Sequence, residues 1–246
     1  MGGTRWAPLT HRMLCIGGDR MQAATTSPSP WLLALRYWWE PGKVYAGLRS
    51  RTTWFPAYLL TAILMAAGTL IAYPTIRATT QDALSQAELA EGFINLIVTS
   101  ATVGLALAPF ISPLIAAVVV TYALLVLSIF MNARVRFGQL FTLTMWSLLP
   151  FQGLRYLVQG VVVSLTRAPA IAAVDLSAAA LLPSSLPPLA YAVVAQIDPF
   201  YLWSLGLLTL GYATMFHRTT REALVVVSIV LALRIFLTFL MVRATV

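Results

Sequence analysis

The apolar run from Phe93 to Met131 constrains the chain more than any other feature. About twenty residues at 1.5 Å rise are enough for a helix to cross a hydrocarbon core of about 30 Å, and this run is nearly twice that length. Pro109 and Pro113 interrupt it. It therefore holds either one crossing plus a shallow helix, or two crossings joined by an impossibly short turn. Four other apolar blocks accompany it: Trp54 to Tyr73, Leu140 to Val163, Pro199 to Phe216 and Ala223 to Val242. Trp54, Phe55, Tyr58 and Tyr73 mark the ends of the first block, where aromatic rings favour the headgroup level. Only 10% of the 246 residues are charged and 59% are hydrophobic, against about 25% charged in a soluble domain. So few charges cannot cover a globule in water. The expected class is an all-α, polytopic integral membrane protein with no large soluble domain.

The positions of the bases decide between one crossing and two, because arginine and lysine are retained on the cytoplasmic side. With one crossing in the Phe93 run, the segments Met1 to Thr53, Asn132 to Gly138 and His217 to Glu222 share a side and hold seven, two and two basic residues. The opposite segments, Pro74 to Gly92, Ser164 to Asp198 and the tail after Val242, hold one each. Counting only bases within about twenty residues of the first span leaves the bias at eight to three. Two crossings would put the later basic loops outside. The expectation is a five-helix transmembrane bundle with spans near 54–73, 111–131, 140–163, 199–216 and 223–242. Its amino terminus is cytoplasmic, its carboxyl terminus lies outside, and residues 93–108 form an interfacial or half-inserted helix. The abundance of arginine over lysine, with only Lys43 of the latter, points to a bacterial inner membrane.

Residues 1–30 carry Gly, Ser, Thr and Pro without an apolar face and are expected to be disordered, with translation starting at Met1 or at Met21. Residues 31–53 differ: Trp31, Tyr37, Trp38, Trp39 and Tyr45 alternate with Arg36, Lys43, Arg49 and Arg51. Aromatics mixed with bases before a first span suit an amphipathic helix lying in the headgroup layer. Trp38, Trp39, Lys43, Arg49 and Arg51 are its expected interfacial anchors, with a protein partner as the alternative use of the same face.

Chemistry-bearing motifs are few. Cys15 is the lone cysteine, and His11 and His217 are far apart in the chain, which leaves little with which to bind a metal. No phosphate-binding glycine loop, nucleophile elbow or HExxH occurs, so no catalytic residue, cofactor or nucleic-acid partner is expected. Gly206, Thr209 and Ala213 form a small-residue stripe for close helix packing, as do Gly68 and Ala72. Arg155 and Arg234 fall inside spans, where a charge usually faces the interior and finds a partner. Arg155 shares a helix face with Gln152 and Gln159, after Pro150 has freed a backbone carbonyl that such groups can satisfy. Asp198 is the best carboxylate for either arginine. Arg155, Gln152, Gln159, Arg234 and Asp198 are thus expected to form a polar cluster in the outer half of the bundle. It either holds an anion such as a lipid headgroup or fixes helix register as a structural ion pair.

Three segments, "WWEPGKVYAGLRSRTTWFP", "FGQLFTLTMWSLLP" and "IDPFYLWSLGLLTLGYA", look like the first-span approach, third-span approach and fourth-span signature of one family. Over about Trp31 to Leu240 the chain resembles the Yip family of five-span membrane proteins, whose eukaryotic members are named for interaction with Ypt/Rab small GTPases. The resemblance implies five spans and a cytoplasmic amino terminus but no defined reaction. The expected function is a membrane scaffold or adaptor that organises bilayer or partner proteins. The alternative is a lipid or small-molecule transporter, or a lipid-binding protein, using the polar cluster. Expected partners are membrane lipids, anionic ones included, and a protein partner or a second copy of the chain.

Overall fold

The computed structural model describes residues 29–86, 91–183 and 187–245, and every regular element among them is helical. The expected disorder of residues 1–30 and the choice between Met1 and Met21 lie outside the described residues, apart from Ser29 and Pro30. Two short helices, α1 (Pro30–Arg36) and α2 (Pro41–Leu48), precede α3 (Phe55–Gln86) and α4 (Glu91–Phe130). Then come α5 (Phe137–Leu149), a π turn (Pro150–Leu154), α6 (Arg155–Thr166) and α7 (Pro188–Val194). The chain closes with α8 (Pro199–Phe216) and α9 (Thr220–Thr245). Four stretches are long and apolar enough to cross a membrane: Phe55–Gln86, Gly92–Phe130, Phe137–Thr166 and Thr220–Leu240. The 18-residue α8 runs between them, about 27 Å long at 1.5 Å per residue. Its Tyr201, Ser204, Thr209, Gly211 and Tyr212 are buried inside the bundle.

The end at which α3 and α5 begin and α8 finishes is termed the lower end. There Gln139 donates to the Arg49 carbonyl, and Arg218 donates to the carbonyls of Met131 and Asn132. The upper end holds the Asp198 cap of α8 and the finish of α6. Three tight reversals use non-glycine residues at positive φ, namely Asn132 (51°), Arg167 (55°) and His217 (50°), which stop α4, α6 and α8.

Helix α4 differs from expectation. Residues 93–108 do not form a separate helix but continue unbroken through Pro109 and Pro113 into the second span. A proline removes one backbone bond, yet an apolar helix shielded from water keeps the bonds on either side. Tyr58 supports this stretch by donating to the Phe110 carbonyl, between the two prolines (3.1 Å).

The small-residue expectation is met on α3 and moved on α8. Gly68 lies against the backbone of Tyr156 and Leu157, and a Cβ on Gly160 would fall on the Gly68 main chain, so α3 and α6 touch backbone to backbone. Gly206 faces open space. The close approach on α8 is made by Gly211, against Tyr45 and Leu143.

Tyr45 belongs to an amino-terminal hairpin, two short helices where a single amphipathic helix was expected. Val44, Tyr45, Leu48 and Tyr37 are all buried against α5 and α8, with Leu143, Trp146, Leu208 and Tyr212 as neighbours. Pro150 explains the seat. Having no N–H, it leaves the Trp146 carbonyl four residues earlier without its helical partner, and the Tyr37 hydroxyl donates to that carbonyl (2.5 Å). The Tyr45 hydroxyl bonds Ser147 (2.8 Å) and meets Tyr37 (3.2 Å). The freed carbonyl is therefore satisfied from the hairpin rather than by the arginine and glutamines of the third span.

Candidate functional site

The polar residues singled out in the sequence divide into two groups. In the first, Arg155 Nε donates to Asp198 Oδ2 (2.5 Å), and its Nη1 donates to Gln159 Oε1 (3.0 Å). The Gln159 amide then donates to the Val174 carbonyl (2.7 Å). Asp198 Oδ1 caps α8, accepting from the backbone N–H of Phe200 (2.8 Å) and Tyr201 (3.1 Å). Both Asp198 and Gln159 are buried. This chain of bonds ties α6, the Val174 loop and α8 together and leaves its carboxylate fully engaged. It has the form of the register-fixing ion pair.

Arg234 and Gln152 make up the second group. Sequence spacing placed Gln152 on the face of Arg155, but the π turn at Pro150–Leu154 widens the helix there and turns Gln152 away from it. Gln152 instead joins Arg234 in lining a cleft of about 410 Å³ bounded by α4, the π turn, Tyr201 and α9. Among the described residues Arg234 has no salt bridge. Its guanidinium carbon lies over the rings of Tyr201 (3.8 Å from the centroid) and Phe151 (4.9 Å). Arg155 lies over the same Phe151 ring at 5.3 Å. Two like charges thus share one aromatic ring, whose electron-rich face attracts a cation.

Phe151 and Tyr201 escaped the sequence reading, although the spacing carried a signal. Phe151 is one turn before Arg155, and Tyr201 is three residues after Asp198. Tyr37 and Tyr45 were likewise read as headgroup residues rather than as bundle residues.

The five expected anchors do not share one level. The Arg49 carbonyl meets Gln139 at the lower end, and Arg51 is exposed just beyond it. Trp38 packs edge-on against Trp203, five residues above which stands Asp198 (ring centroids 5.7 Å). Trp39 is exposed beside it in the turn between α1 and α2, and Lys43 pairs with Glu40 at 2.6 Å. The 8 residues of α2 rise about 12 Å from the lower end, so the hairpin turn lies roughly halfway along α8, and the Trp38 ring reaches up from it to Trp203.

At the upper end Asp175 accepts from the Tyr191 hydroxyl (2.6 Å) and from the Ser177 amide (2.8 Å), holding α7 to the loop. Burial pushes the Asp175 carboxyl up, but these bonds and the Arg155 charge outweigh it and leave it below its ordinary value. The bond to Asp175 raises the Tyr191 phenol. A lowered acid gives stability that is full above its unfolded pKa of about 4 and is lost as pH falls through the folded value. A raised phenol gives stability that is full below about 10 and is lost as pH rises through its folded value. Amide hydrogen exchange in α7 should therefore accelerate in acid below about pH 4 and again in strong alkali. A Tyr191→Phe chain should show neither change at its wild-type pH.

Among the described residues no three His, Cys, Asp or Glu side chains gather closely enough to hold a metal ion. No family model matches the chain. No curated protein and no solved structure matches it either. The likeness to the Yip family rests on the three segments quoted above.

Proposed function

We propose that the chain is a five-span, Yip-like protein of a bacterial inner membrane that acts as a scaffold shaping the bilayer around it. The observation that carries the reading is the α1–α2 hairpin, wedged beside α5 and α8 with its turn roughly halfway along the bundle. A body wider in one leaflet than in the other displaces lipid unequally, and the bilayer relieves that difference by bending. Arg49, Arg51, Arg134, Arg136, Arg218 and Arg221 flank the lower ends of the helices, which supports a cytoplasmic lower end and, with it, a wedge in the cytoplasmic leaflet. The fifth crossing is α8, short but enclosed between α5 and α9. The reading carries no catalytic step and no cofactor.

The test is vesicle shape. Full-length protein reconstituted into liposomes should yield smaller or more tubular vesicles than lipid alone by electron cryomicroscopy. A Tyr37→Phe/Tyr45→Phe chain leaves the Trp146 carbonyl without its donor and should loosen the hairpin by about 2 kcal/mol. Its effect on curvature should fall in step. Vesicles with wild-type protein that match protein-free ones, or a loosened hairpin that bends membranes equally well, would sink the proposal.

A further inference from the structure

The Arg234 cleft supports an inference that does not rest on the wedge. Its walls are α4, through Ala116, Val119, Val120 and Ala123, and α9, through Val230, Leu233 and Leu237. Val119 and Leu233 are 61% and 45% exposed, so the cleft opens sideways, toward lipid. Its volume of about 410 Å³ is within the range of small-molecule sites, about 300 to 1,000 Å³. A single cation stands in this apolar recess.

The Arg234 guanidinium carbon lies over the Tyr201 and Phe151 rings, and its N–H groups find no acceptor among the described residues. Asp198 is taken by Arg155, and among the described residues no carboxylate pairs with Arg234. An unpaired charge at membrane depth is costly, and an anion from outside the chain removes that cost. The planar guanidinium offers paired N–H groups suited to two-point bonding to a phosphate or carboxylate. Gln152 adds an amide at the same cleft. Arg234 meets Tyr201 within one turn of the Asp198 cap, which sets the site close beneath the upper surface.

We propose that this cleft binds one anionic phospholipid of the upper leaflet, its phosphate held by Arg234 with Gln152 beside it and an acyl chain lying between α4 and α9. A phosphate supplies the in-plane acceptors, and the walls supply contacts for hydrocarbon alone. The lateral mouth admits a lipid directly from the bilayer.

Native mass spectrometry of the full-length protein, titrated in detergent with phosphatidylglycerol or with phosphatidylcholine, tests this. The first phosphatidylglycerol should bind roughly tenfold more tightly than the first phosphatidylcholine, the scale of one hydrogen-bonded charge. Arg234→Gln should erase that preference. Val119→Trp, at an exposed position on the rim, should weaken phosphatidylglycerol binding with Arg234 intact, and it serves if the arginine variant fails to fold. A preference that survives both substitutions belongs to surface arginines and overturns the proposal, as does the lack of any preference in the wild type. Inorganic phosphate that displaces the lipid at millimolar concentration would identify a plain anion site and overturn the lipid assignment.

Discussion

A Gly160→Leu chain is expected to lose its fold in the membrane, with a cost of at least about 3 kcal/mol. A Cβ at Gly160 would fall on the Gly68 carbonyl and Cα, and one at Gly68 would come within 2.6 Å of the Tyr156 carbonyl oxygen. The atoms in the way are main chain on both sides, and neither can rotate aside. Relief requires α3 and α6 to separate along their whole contact, which carries Ala72, Ile76 and Val163 with it. Helices in lipid associate through close packing rather than through expulsion of water, so lost contact is not regained elsewhere. Gly206→Ala is the control. Nothing lies within 4 Å of a Cβ there, and the better helix former should be neutral or stabilising by about half a kcal/mol. Denaturant unfolding in bicelles would compare the three chains, and equal stability of Gly160→Leu and wild type would contradict the observed helix contact.

Asp198→Ala should cost about 4 kcal/mol, because it strips Arg155 of its buried partner and α8 of its cap in one step. Asp198→Asn retains an acceptor for the Phe200 and Tyr201 amides and should lose less. Combining Asp198→Asn with Arg155→Met removes both charges and should recover most of the loss, since a buried pair offsets its own desolvation only in part. A double-mutant cycle on unfolding free energy measures this, and additive losses would show that the two groups do not couple. The cycle also separates the two roles weighed for the polar residues. Lipid retention should follow Arg234, and bundle stability should follow Arg155 and Asp198.

The all-helical class was legible because composition and apolar length depend on solvent alone, not on which helix meets which. Helix α8 was legible residue by residue, since Asp198, Pro199 and the stop at His217 are local signals. The Arg155 and Asp198 pair was also legible, because few carboxylates stand near the spans. Gln152 was misplaced because a π turn changes helical phase without a distinct sequence signature. Pro150 announced a freed carbonyl, but nothing local to it said that Tyr37, 109 residues away, would supply the donor. Residues 31–53 read as a surface helix because aromatics with bases are common to a headgroup layer and to a wedge. Only the partner surfaces, Gly211 and Ser147, distinguish the two.

The hairpin's seat also dictates an order of biogenesis. Residues 30–48 leave the ribosome well before Trp146, Ser147 and Gly211, the residues that receive them. The hairpin must therefore wait outside its slot until α5 and α8 have been made. A chain halted before Gly211 would leave Tyr37 and Tyr45 open to protease, and the bundle would hide them.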